Sequence, residues 1–318
     1  MEELTVEARE HTDRDGVPMT HVFSDLWVRM VQLTSGIHAR SPRPVSPRTA
    51  EERSGAFRGL LQGLDQPMHL FAFLTGGNHY HFGEFVHPRD SLLHAQERLT
   101  TSCASSLPRG SRVLDVGCGL GGSSMMLSRL GHRVVAVDPS GRALDMARAS
   151  ANGNHGLRFE PLAFGSEQLS RVARDEPFDG FLFIEVLQYF QDLDELLINV
   201  RKMAHPTSAL VFADAFCEGP HARHGVPHHG ANDLCRALDR AGVELMSRRV
   251  MTKSILPTLD RVRELLDSQQ RELVEFFEES RPDVRAEIRE LEAHCKHLRA
   301  AFKNGDLVYE IVTAGCTD

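Results

Sequence analysis

The sequence lacks any apolar stretch long enough to cross a membrane as a helix, since no run of about 18 consecutive apolar residues occurs in it. Its first residues, MEELTVEAREHTDRDG, are acidic where a secretory leader carries a basic region followed by an apolar core. These two absences predict a cytoplasmic protein that has no membrane partner.

Basic residues are also in deficit, with 36 Lys and Arg against 44 Asp and Glu, which gives a net charge of −8 with histidine neutral. A protein that binds nucleic acid by neutralising phosphates needs clustered Lys and Arg, so this balance argues against a nucleic-acid partner. The hydrophobic share of 41% is sufficient for a large folded core. The composition therefore favours a small-molecule partner.

Metal-ligand patterns are absent as well, because the six cysteines form no C-x-x-C pair and no zinc-ligand spacing. We predict reduced thiols and no bound metal. The segment EGPHARHGVPHHG at 218–230 nevertheless contains four histidines, namely His221, His224, His228 and His229. Its Gly and Pro content favours a solvated loop, and contact with a metal or with the substrate is the alternative.

What the sequence does contain, from about residue 109 to 252, is short apolar runs that alternate with helix-forming stretches. The runs are SRVLDVG, HRVVAVD, LRFEPLA, FDGFLFI, SALVFAD and VELMSRRVM, and a seventh, DLVYEIVTA, follows at 306–314. Strands buried on both faces of a parallel sheet read as continuous apolar runs, and their alternation with helices is typical of α/β proteins. We predict an α/β fold with a doubly wound, Rossmann-like sheet of seven strands.

Four regions follow from this pattern. We assign 1–105 to an N-terminal helical cap, 106–252 to the α/β core, 253–305 to a helical insert, and 306–318 to the last strand and the C-terminus. The insert carries apolar residues at helical spacing with a break at Arg281-Pro282, which predicts two amphipathic helices. We interpret it as a lid over a pocket, and a homodimer contact is the alternative.

A glycine-rich turn follows the first predicted strand in VLDVGCGLGGSSMM. Glycine permits a tight turn, and it also lets a ligand lie directly against the backbone. Asp138 ends the next strand, where a carboxylate can accept both hydroxyls of a ribose. Asp115, just before the turn, would repel a pyrophosphate but suits an amino-acid ammonium or a sulfonium. The turn therefore favours S-adenosylmethionine, with an NAD-dependent oxidoreductase as the alternative.

The motif VLDVGCGLGG followed by VVAVDPS resembles motif I and its acidic partner in class I S-adenosylmethionine-dependent methyltransferases. The resemblance implies that Asp115 lies near the methionine end, that the turn cradles the cofactor, and that Asp138 binds the ribose. Many relatives carry an Asp-Ala pair after the third strand, whereas LAFGSE here offers the apolar side chain of Phe164. The cofactor residues so implied are Asp115, Gly117, Cys118, Gly119, Gly121, Asp138, Pro139 and Phe164.

The segment GGNHYHFGEF at 76–85 resembles an aromatic, His-rich segment that precedes motif I in methyltransferases acting on tocopherol, sterol side chains and prenyl diphosphates. The resemblance predicts that His79, Tyr80, His81 and Phe82 line the pocket on the side of the transferred methyl group, where aromatic faces can hold a cation. Either imidazole can take a proton at neutral pH. A structural role is the alternative for both histidines, and packing is the alternative for the tyrosine.

Glu185 follows the fourth predicted strand in FDGFLFIEVLQYF, at the sheet edge where open α/β folds bind ligands. In the sterol and prenyl diphosphate C-methyltransferases that the chain resembles, a Glu at the corresponding place stabilises a carbocation and accepts a proton. Glu185 is therefore the leading catalytic candidate, and a cofactor-side or structural role is its alternative.

The predicted function is methyl transfer from S-adenosylmethionine to a small molecule, in natural-product biosynthesis, with carbon slightly favoured over nitrogen or oxygen as the acceptor atom. An alternative from another class is an interaction module that binds the cofactor without catalysis. In that case Glu185 and the two histidines at 79 and 81 would have no catalytic role.

Overall fold

The computed structural model describes residues 58–316, except 88, 152–155 and 218–228. The first part of the predicted N-terminal cap, 1–57, lies outside the described residues. So do His221, His224 and His228, so the choice between a solvated and a ligand-binding loop stays a prediction.

Seven strands form one sheet in the order β3-β2-β1-β4-β5-β7-β6. The four pairs from β3 to β5 are parallel, whereas β7 runs antiparallel to both β5 and β6. Each apolar run of the sequence forms a strand, so the predicted seven-stranded α/β fold is confirmed, with a mixed rather than wholly parallel sheet. The strands are β1 (Arg112–Val116), β2 (Arg133–Val137), β3 (Leu157–Glu160), β4 (Phe178–Ile184), β5 (Ala204–Cys217), β6 (Val243–Val250) and β7 (Leu307–Cys316).

Helices connect the strands and cover the sheet. Residues 58–63 are helical as well, and a 3₁₀ turn, Leu187–Tyr189, follows β4. The remaining helices are α1 (Met68–Thr75), α2 (Leu92–Ala104), α3 (Gly122–Arg129), α4 (Gly141–Ser150), α5 (Glu167–Asp175), α6 (Leu193–Met203), α7 (Ala231–Arg240), α8 (Thr252–Ile255), α9 (Pro257–Ser268), α10 (Gln270–Phe277) and α11 (Val284–Asn304).

The core lies in two layers, one on each face of the sheet. Successive residues of β4 alternate between them: Leu182 and Ile184 belong to the first layer, and Phe181 and Phe183 belong to the second. The first layer continues into α1, α2 and the helices from 252 to 304, while the second continues into α5, α6 and α7. The N-terminal segment and the insert therefore share one face of the sheet.

The insert contains four helices, α8 to α11, where the sequence predicts two. The break near Pro282 is present, and Asp283 precedes α11 as its N-cap residue. Glu287 of α11 lies 2.9 Å from His69 of α1 and 3.0 Å from Arg281, measured between side-chain atoms. The apolar side chains of the insert are buried against the protein itself, among them Leu259, Val262, Leu266, Leu273, Val274, Phe277, Val284, Ile288, Leu291, Cys295 and Phe302.

Strand β6 differs from the expectation of a strand buried on both faces. Only Val243 is buried, and the residues from Glu244 to Val250 are all exposed. The reason is its position, because β6 is the last strand of the sheet and has a neighbour on one side only. Among the helices of the described residues, none has the length and apolar character required to span a bilayer.

Candidate active site

The glycine-rich turn, 117–121, joins β1 to α3 and is tied to the end of β2. The N–H groups of Gly117 and Cys118 donate to the carbonyl of Val137 at 2.8 and 3.1 Å. Gly117, Gly119 and Gly121 have φ values of 68°, 51° and 79°, in the left-handed region that favours glycine. The local conformation alone therefore explains why glycine recurs at every second position.

The three glycines nevertheless face different surroundings. A Cβ on Gly121 would lie 2.8 Å from both Ala147 and Phe159, and a Cβ on Gly117 would overlap Val186. A Cβ on Gly119 would meet nothing within 4 Å. The space beside Gly119 is therefore open to a ligand, whereas at 117 and 121 the protein itself fills the space. This corrects the expectation that the whole turn presents bare backbone to a ligand.

Asp138 lies directly after β2 and holds the turn from its other side. Its Oδ2 accepts a hydrogen bond from the N–H of Gly119 at 2.9 Å, and its Oδ1 accepts one from the N–H of Ser140 at 2.8 Å. Burial raises the pKa of Asp138, and these two N–H groups oppose that effect. The carboxylate is thus fixed beside the open face of Gly119, where a ribose would lie.

Asp115 is the second acid at the turn and is fully enclosed near the end of β1. Its Oδ2 accepts a hydrogen bond from the hydroxyl of Ser124 in α3. Burial raises the pKa of Asp115 to about 7, Ser124 lowers it, and the nearby charge of Asp138 raises it. A positively charged ligand group beside these two acids would favour their ionised forms.

The residues present therefore fit a nucleoside cofactor with a cationic amino-acid tail, with open backbone at Gly119 and an acid on either side. All the cofactor contacts implied by the sequence stay predictions, and for three of the residues the structure shows only their surroundings. Cys118 contributes backbone groups to the turn, Pro139 is exposed after β2, and the ring of Phe164 packs edge-on against other phenylalanines.

The segment 76–85 fastens this turn to the rest of the pocket. Asn78 donates from Nδ2 to the carbonyl of Leu120, and its own carbonyl accepts from the N–H of Gly122, both at 2.9 Å. Farther along, the N–H of Gly83 donates to the hydroxyl of Thr258 in α9 at 2.9 Å. The segment therefore links the start of α3 to the insert.

Glu185 occupies the position that the sequence predicts, immediately after β4 at its carboxyl end. Its φ of 54° is the single positive value outside glycine among the described residues. For a residue with a Cβ this conformation costs about 1–2 kcal/mol, and it persists where surrounding contacts fix it. Here its N–H donates to the carbonyl of Ala213, and its carbonyl accepts from Gln188, both at 2.8 Å.

The two carboxyl oxygens of Glu185 differ in their contacts. Oε1 accepts hydrogen bonds from the N–H of Phe82 at 2.7 Å and from the hydroxyl of Tyr309 at 2.9 Å. Oε2 receives no hydrogen bond within the part of the chain that the structure describes. Burial raises the pKa of Glu185 to about 8, and the charge of Asp214 adds to the rise. Oε2 is therefore the atom that can exchange a proton near neutral pH.

Asp214 of β5 supports the turn that follows Glu185. Its carboxylate accepts from the N–H of Leu187 at 2.9 Å and from the N–H of Ala215 at 2.8 Å. Burial raises the pKa of Asp214 to about 7, against the effect of these donors. Sequence reasoning gave no role at this site to Asp214 or to Tyr309. The available signal was a polar residue within the apolar run of each of two strands, FADAF and LVYEIV.

His79 and His81 form a hydrogen-bonded pair whose geometry assigns the protons. Nδ1 of His81 lies 2.7 Å from the carbonyl of Phe82, which only accepts, so this nitrogen carries the hydrogen. Nε2 of His81 then accepts from Nδ1 of His79 at 3.0 Å. Burial lowers the pKa of His79 to about 3 and that of His81 to about 4. These contacts favour the structural alternative for both histidines.

Tyr80 points into different surroundings from the two histidines that flank it. Its ring packs edge-on against Phe71 at 5.1 Å between centroids. Burial raises the pKa of its hydroxyl, and the nearby charges of Tyr189 and Glu185 raise it further. Of His79, Tyr80 and His81, Tyr80 is therefore the one whose pKa responds to the charge of Glu185. His229 lies elsewhere and donates to the carbonyl of Phe190 at 2.6 Å.

Residues 114–212, from β1 into β5, match the model of a methyltransferase domain family. A ubiquinone biosynthesis O-methyltransferase of Rhizobium rhizogenes is 34% identical over 121 residues, which are 38% of this chain and 48% of that protein. The chain thus spans about half the length of that curated relative. The residues that the family model matches, 114–212, include the glycine-rich turn, Asp138 and Glu185.

Solved structures with the same fold align over more of the chain. A putative sarcosine dimethylglycine methyltransferase from Galdieria sulphuraria aligns with a TM-score of 0.67 and 15% identity, over 80% of this chain and 99% of that one. The [4+2]-cyclase SpnF aligns with a TM-score of 0.64 and 20% identity, over 87% and 99%. Residues 114–212 are thus similar to a methyltransferase domain, and the two solved structures share the fold of the larger part of this chain.

Proposed function

We propose that this protein transfers the methyl group of S-adenosylmethionine to a small molecule, and that Glu185 receives the proton which the methylated atom loses. The observation that carries the proposal is the carboxyl group of Glu185, which is half-buried at the end of β4, with two donors to Oε1 and none to Oε2 among the described residues. An acid of this kind beside the cofactor turn suits proton transfer better than it suits structural support.

The chain's own residues divide into two sets in this proposal. Gly119, Asp115 and Asp138 would hold the cofactor, which when bound supplies a methyl group on a positively charged sulfur. The acceptor would lie between this turn and Glu185, against the aromatic side chains of Tyr80 and of the segment that carries it. The bound cofactor and acceptor would displace water from this region and so strengthen each electrostatic contact within it.

Proton balance defines the part played by Glu185. A carbon or oxygen acceptor that gains a methyl group gives up one proton, and the ionised Oε2 takes it. General bases work best when their pKa lies near the working pH, and a pKa of about 8 meets that condition. Phe82 and Tyr309 continue to donate to Oε1, so that the carboxyl group does not rotate.

Carbon is the slightly favoured acceptor atom, because a Glu in this position and the aromatic segment at 76–85 resemble the C-methyltransferase pattern. Oxygen is the alternative, and the name of the ubiquinone biosynthesis relative supports it. Nitrogen is less favoured, since a neutral amine needs no base of this strength. A natural-product intermediate as substrate and a cytoplasmic location stay predictions.

The first test is cofactor binding by calorimetry on the full chain. We expect S-adenosylhomocysteine to bind with a micromolar dissociation constant and NAD not to bind. Asp138→Ala should weaken the first ligand by about tenfold or more, because it removes the carboxylate that would accept the ribose hydroxyls. Binding of NAD alone would overturn the choice of cofactor.

The second test is turnover with labelled S-adenosylmethionine on a panel of phenols, enolisable ketones and isoprenoids. Glu185→Gln should lower the rate on any accepted substrate by about 10²–10⁴-fold while leaving cofactor affinity unchanged. Glu167→Gln, an exposed acid at the start of α5, is the matched control. Cofactor binding without turnover on the panel or in extracts of the source organism would favour the non-catalytic module instead.

A further inference from the structure

Strand β6 leaves one long edge of the sheet without a partner in the described part of the chain. Its side chains from Glu244 onward are exposed, and they include Leu245, Met246 and Val250 with 41%, 67% and 64% of their surfaces open. An open strand edge with apolar side chains is a template for pairing with another strand. The insert offers no comparable apolar surface to a partner, because its apolar side chains are buried within the chain.

A β-bulge changes the alternation of residues along this edge. Leu245 lies opposite Ala314 of β7, and Ser247 lies opposite the adjacent Thr313, so Met246 is an extra residue. A bulge of this kind shifts the residues after it by one position relative to the regular two-residue repeat. Residues on either side of the bulge that are an odd number apart therefore share one face of the sheet.

Glu244 and Arg249 are the pair that this shift brings together. Glu244 lies opposite Gly315 and Arg249 lies opposite Ile311, so their partners are four residues apart and face the same way. Without the bulge, two residues separated by five positions would project from opposite faces. Neither charged side chain has a hydrogen bond or an ion pair with the residues that the structure describes. The edge thus carries two unpaired, opposite charges on one face.

A hydrogen bond at the end of β6 shows which residues of the strand point their backbone N–H and C=O groups toward β7 and which point them outward. The N–H of Met251 donates to the carbonyl of Tyr309 at 2.7 Å, so Met251 points its backbone toward β7. Alternation then turns Arg249 toward β7 as well, and it turns the N–H and C=O of Val250 outward. When this alternation is followed past the extra residue of the bulge, the N–H and C=O of Val243 also point outward. Both ends of the edge therefore offer free backbone groups to another strand.

We propose that β6 pairs antiparallel with β6 of a second copy of this chain, about a two-fold axis at the bulge. In that register Glu244 lies opposite Arg249 of the partner subunit, and Val243 lies opposite Val250 of the partner subunit. The charged pair occurs twice, as two-fold symmetry requires. It falls at a non-hydrogen-bonded position, where facing side chains are closest. The occupant is thus a second copy because the strand is complementary to itself.

The test is sedimentation of the full chain over protein concentrations from about 5 to about 200 µM, with folding checked by circular dichroism. We expect a reversible dimer for the wild type. Glu244→Arg and Arg249→Glu each place like charges opposite one another twice, so each should raise the dimer dissociation constant by about tenfold or more. The exposed Glu167→Arg on α5 is the charge-matched control, and it should leave the dimer unchanged.

The decisive measurement mixes the two single variants in equal amounts. One chain then carries two basic residues and the other two acidic residues at the paired positions, so a mixed dimer should form although neither variant dimerises well alone. The double variant Glu244→Arg/Arg249→Glu should likewise recover self-association. A wild type that stays monomeric at the highest concentration, or a mixture that does not associate, would overturn the proposal.

Discussion

The candidate site has a cofactor half, formed by Asp115, Asp138 and the turn at 117–121, and a substrate half, formed by Glu185 and the groups around it. The carboxylates of the cofactor half accept hydrogen bonds only from residues of a single β–α–β unit among the described contacts, and Asp138 is 19 positions from Gly119, whose N–H donates to it. The substrate half joins Glu185 to Phe82 and Tyr309 across 103 and 124 positions. The first half depends on local backbone conformation, and the second depends on the assembly of the whole fold.

The two halves also differ in the backbone conformation of their key residues and in what sets the pKa of their acids. In the cofactor half, glycine adopts left-handed conformations without a steric cost, and backbone N–H groups support the acid at 138. In the substrate half, a residue with a side chain adopts that conformation, and burial raises the pKa of its carboxyl group to about 8. We infer that substitutions in the first half change stability and cofactor affinity. Those in the second half should change the pH at which the site works.

We expect the largest effect when alanine replaces Gly121, which packs against the protein, and the comparison is Gly119, which faces open space. Gly121→Ala adds a Cβ in the left-handed region and against Ala147 and Phe159, so it should destabilise the fold by about 3 kcal/mol. Gly119→Ala incurs only the conformational cost, about 1 kcal/mol, but places a methyl group on the open face. Urea unfolding measures the first difference. Calorimetry with S-adenosylhomocysteine should show the larger loss of affinity for Gly119→Ala, and equal unfolding free energies would contradict this division.

The strands and the cofactor half were predictable because their signals are local. Continuous apolar runs located all seven strands, and the spacing of glycines and acids located the turn and Asp138. Glu185 was found because its strand ends at the ligand-binding edge of the sheet.

The partners of Glu185 could not be predicted in this way. Tyr309 reaches it from the other end of the chain, and Phe82 contributes a backbone N–H that any residue would have. The histidines at 79 and 81 had the right chemistry, but their burial and mutual hydrogen bond depend on packing that a linear pattern does not contain. The exposure of β6 depends on strand order, which the sequence left open.

A smaller effect should follow from removing one donor to Glu185. Tyr309→Phe deletes the hydroxyl that stabilises the ionised carboxylate, so the pKa of Glu185 should rise above about 8. Since the ionised form is the base, the rate of methyl transfer should reach its plateau about one pH unit higher than in the wild type. The pH dependence of kcat measures this. A merely structural tyrosine would lower the rate at every pH without moving the profile.

Tyr80→Phe is the comparison for that experiment. Tyr80 lies near Glu185 but donates no hydrogen bond to it among the described contacts, so its hydroxyl does not stabilise the carboxylate. We expect the midpoint of the pH profile to stay at the wild-type value, with any change confined to KM. A profile displaced equally by both substitutions would show that the hydrogen bond from Tyr309 does not set the pKa of Glu185.

The smallest effect concerns the stability of the cofactor-free protein between pH 5 and pH 8. Burial raises the pKa of Glu185 to about 8 and those of Asp115 and Asp214 to about 7, whereas unfolded carboxyl groups titrate near about 4. Through these three acids the folded state binds more protons than the unfolded state, so their contribution to stability falls as the pH rises. The lowered pKa values of His79 and His81 act in the opposite sense below about pH 6.5, because the unfolded imidazoles bind protons there and the folded ones do not. Thermal unfolding should therefore show a Tm that declines by a few degrees between about pH 6.5 and pH 8. Asp115→Asn should flatten the decline up to about pH 7, and Glu185→Gln should flatten it up to about pH 8. Asp115 belongs to the cofactor half and Glu185 to the substrate half. If Tm fell with pH at the same slope in both variants and in the wild type, neither acid would hold a proton in the folded state over this interval.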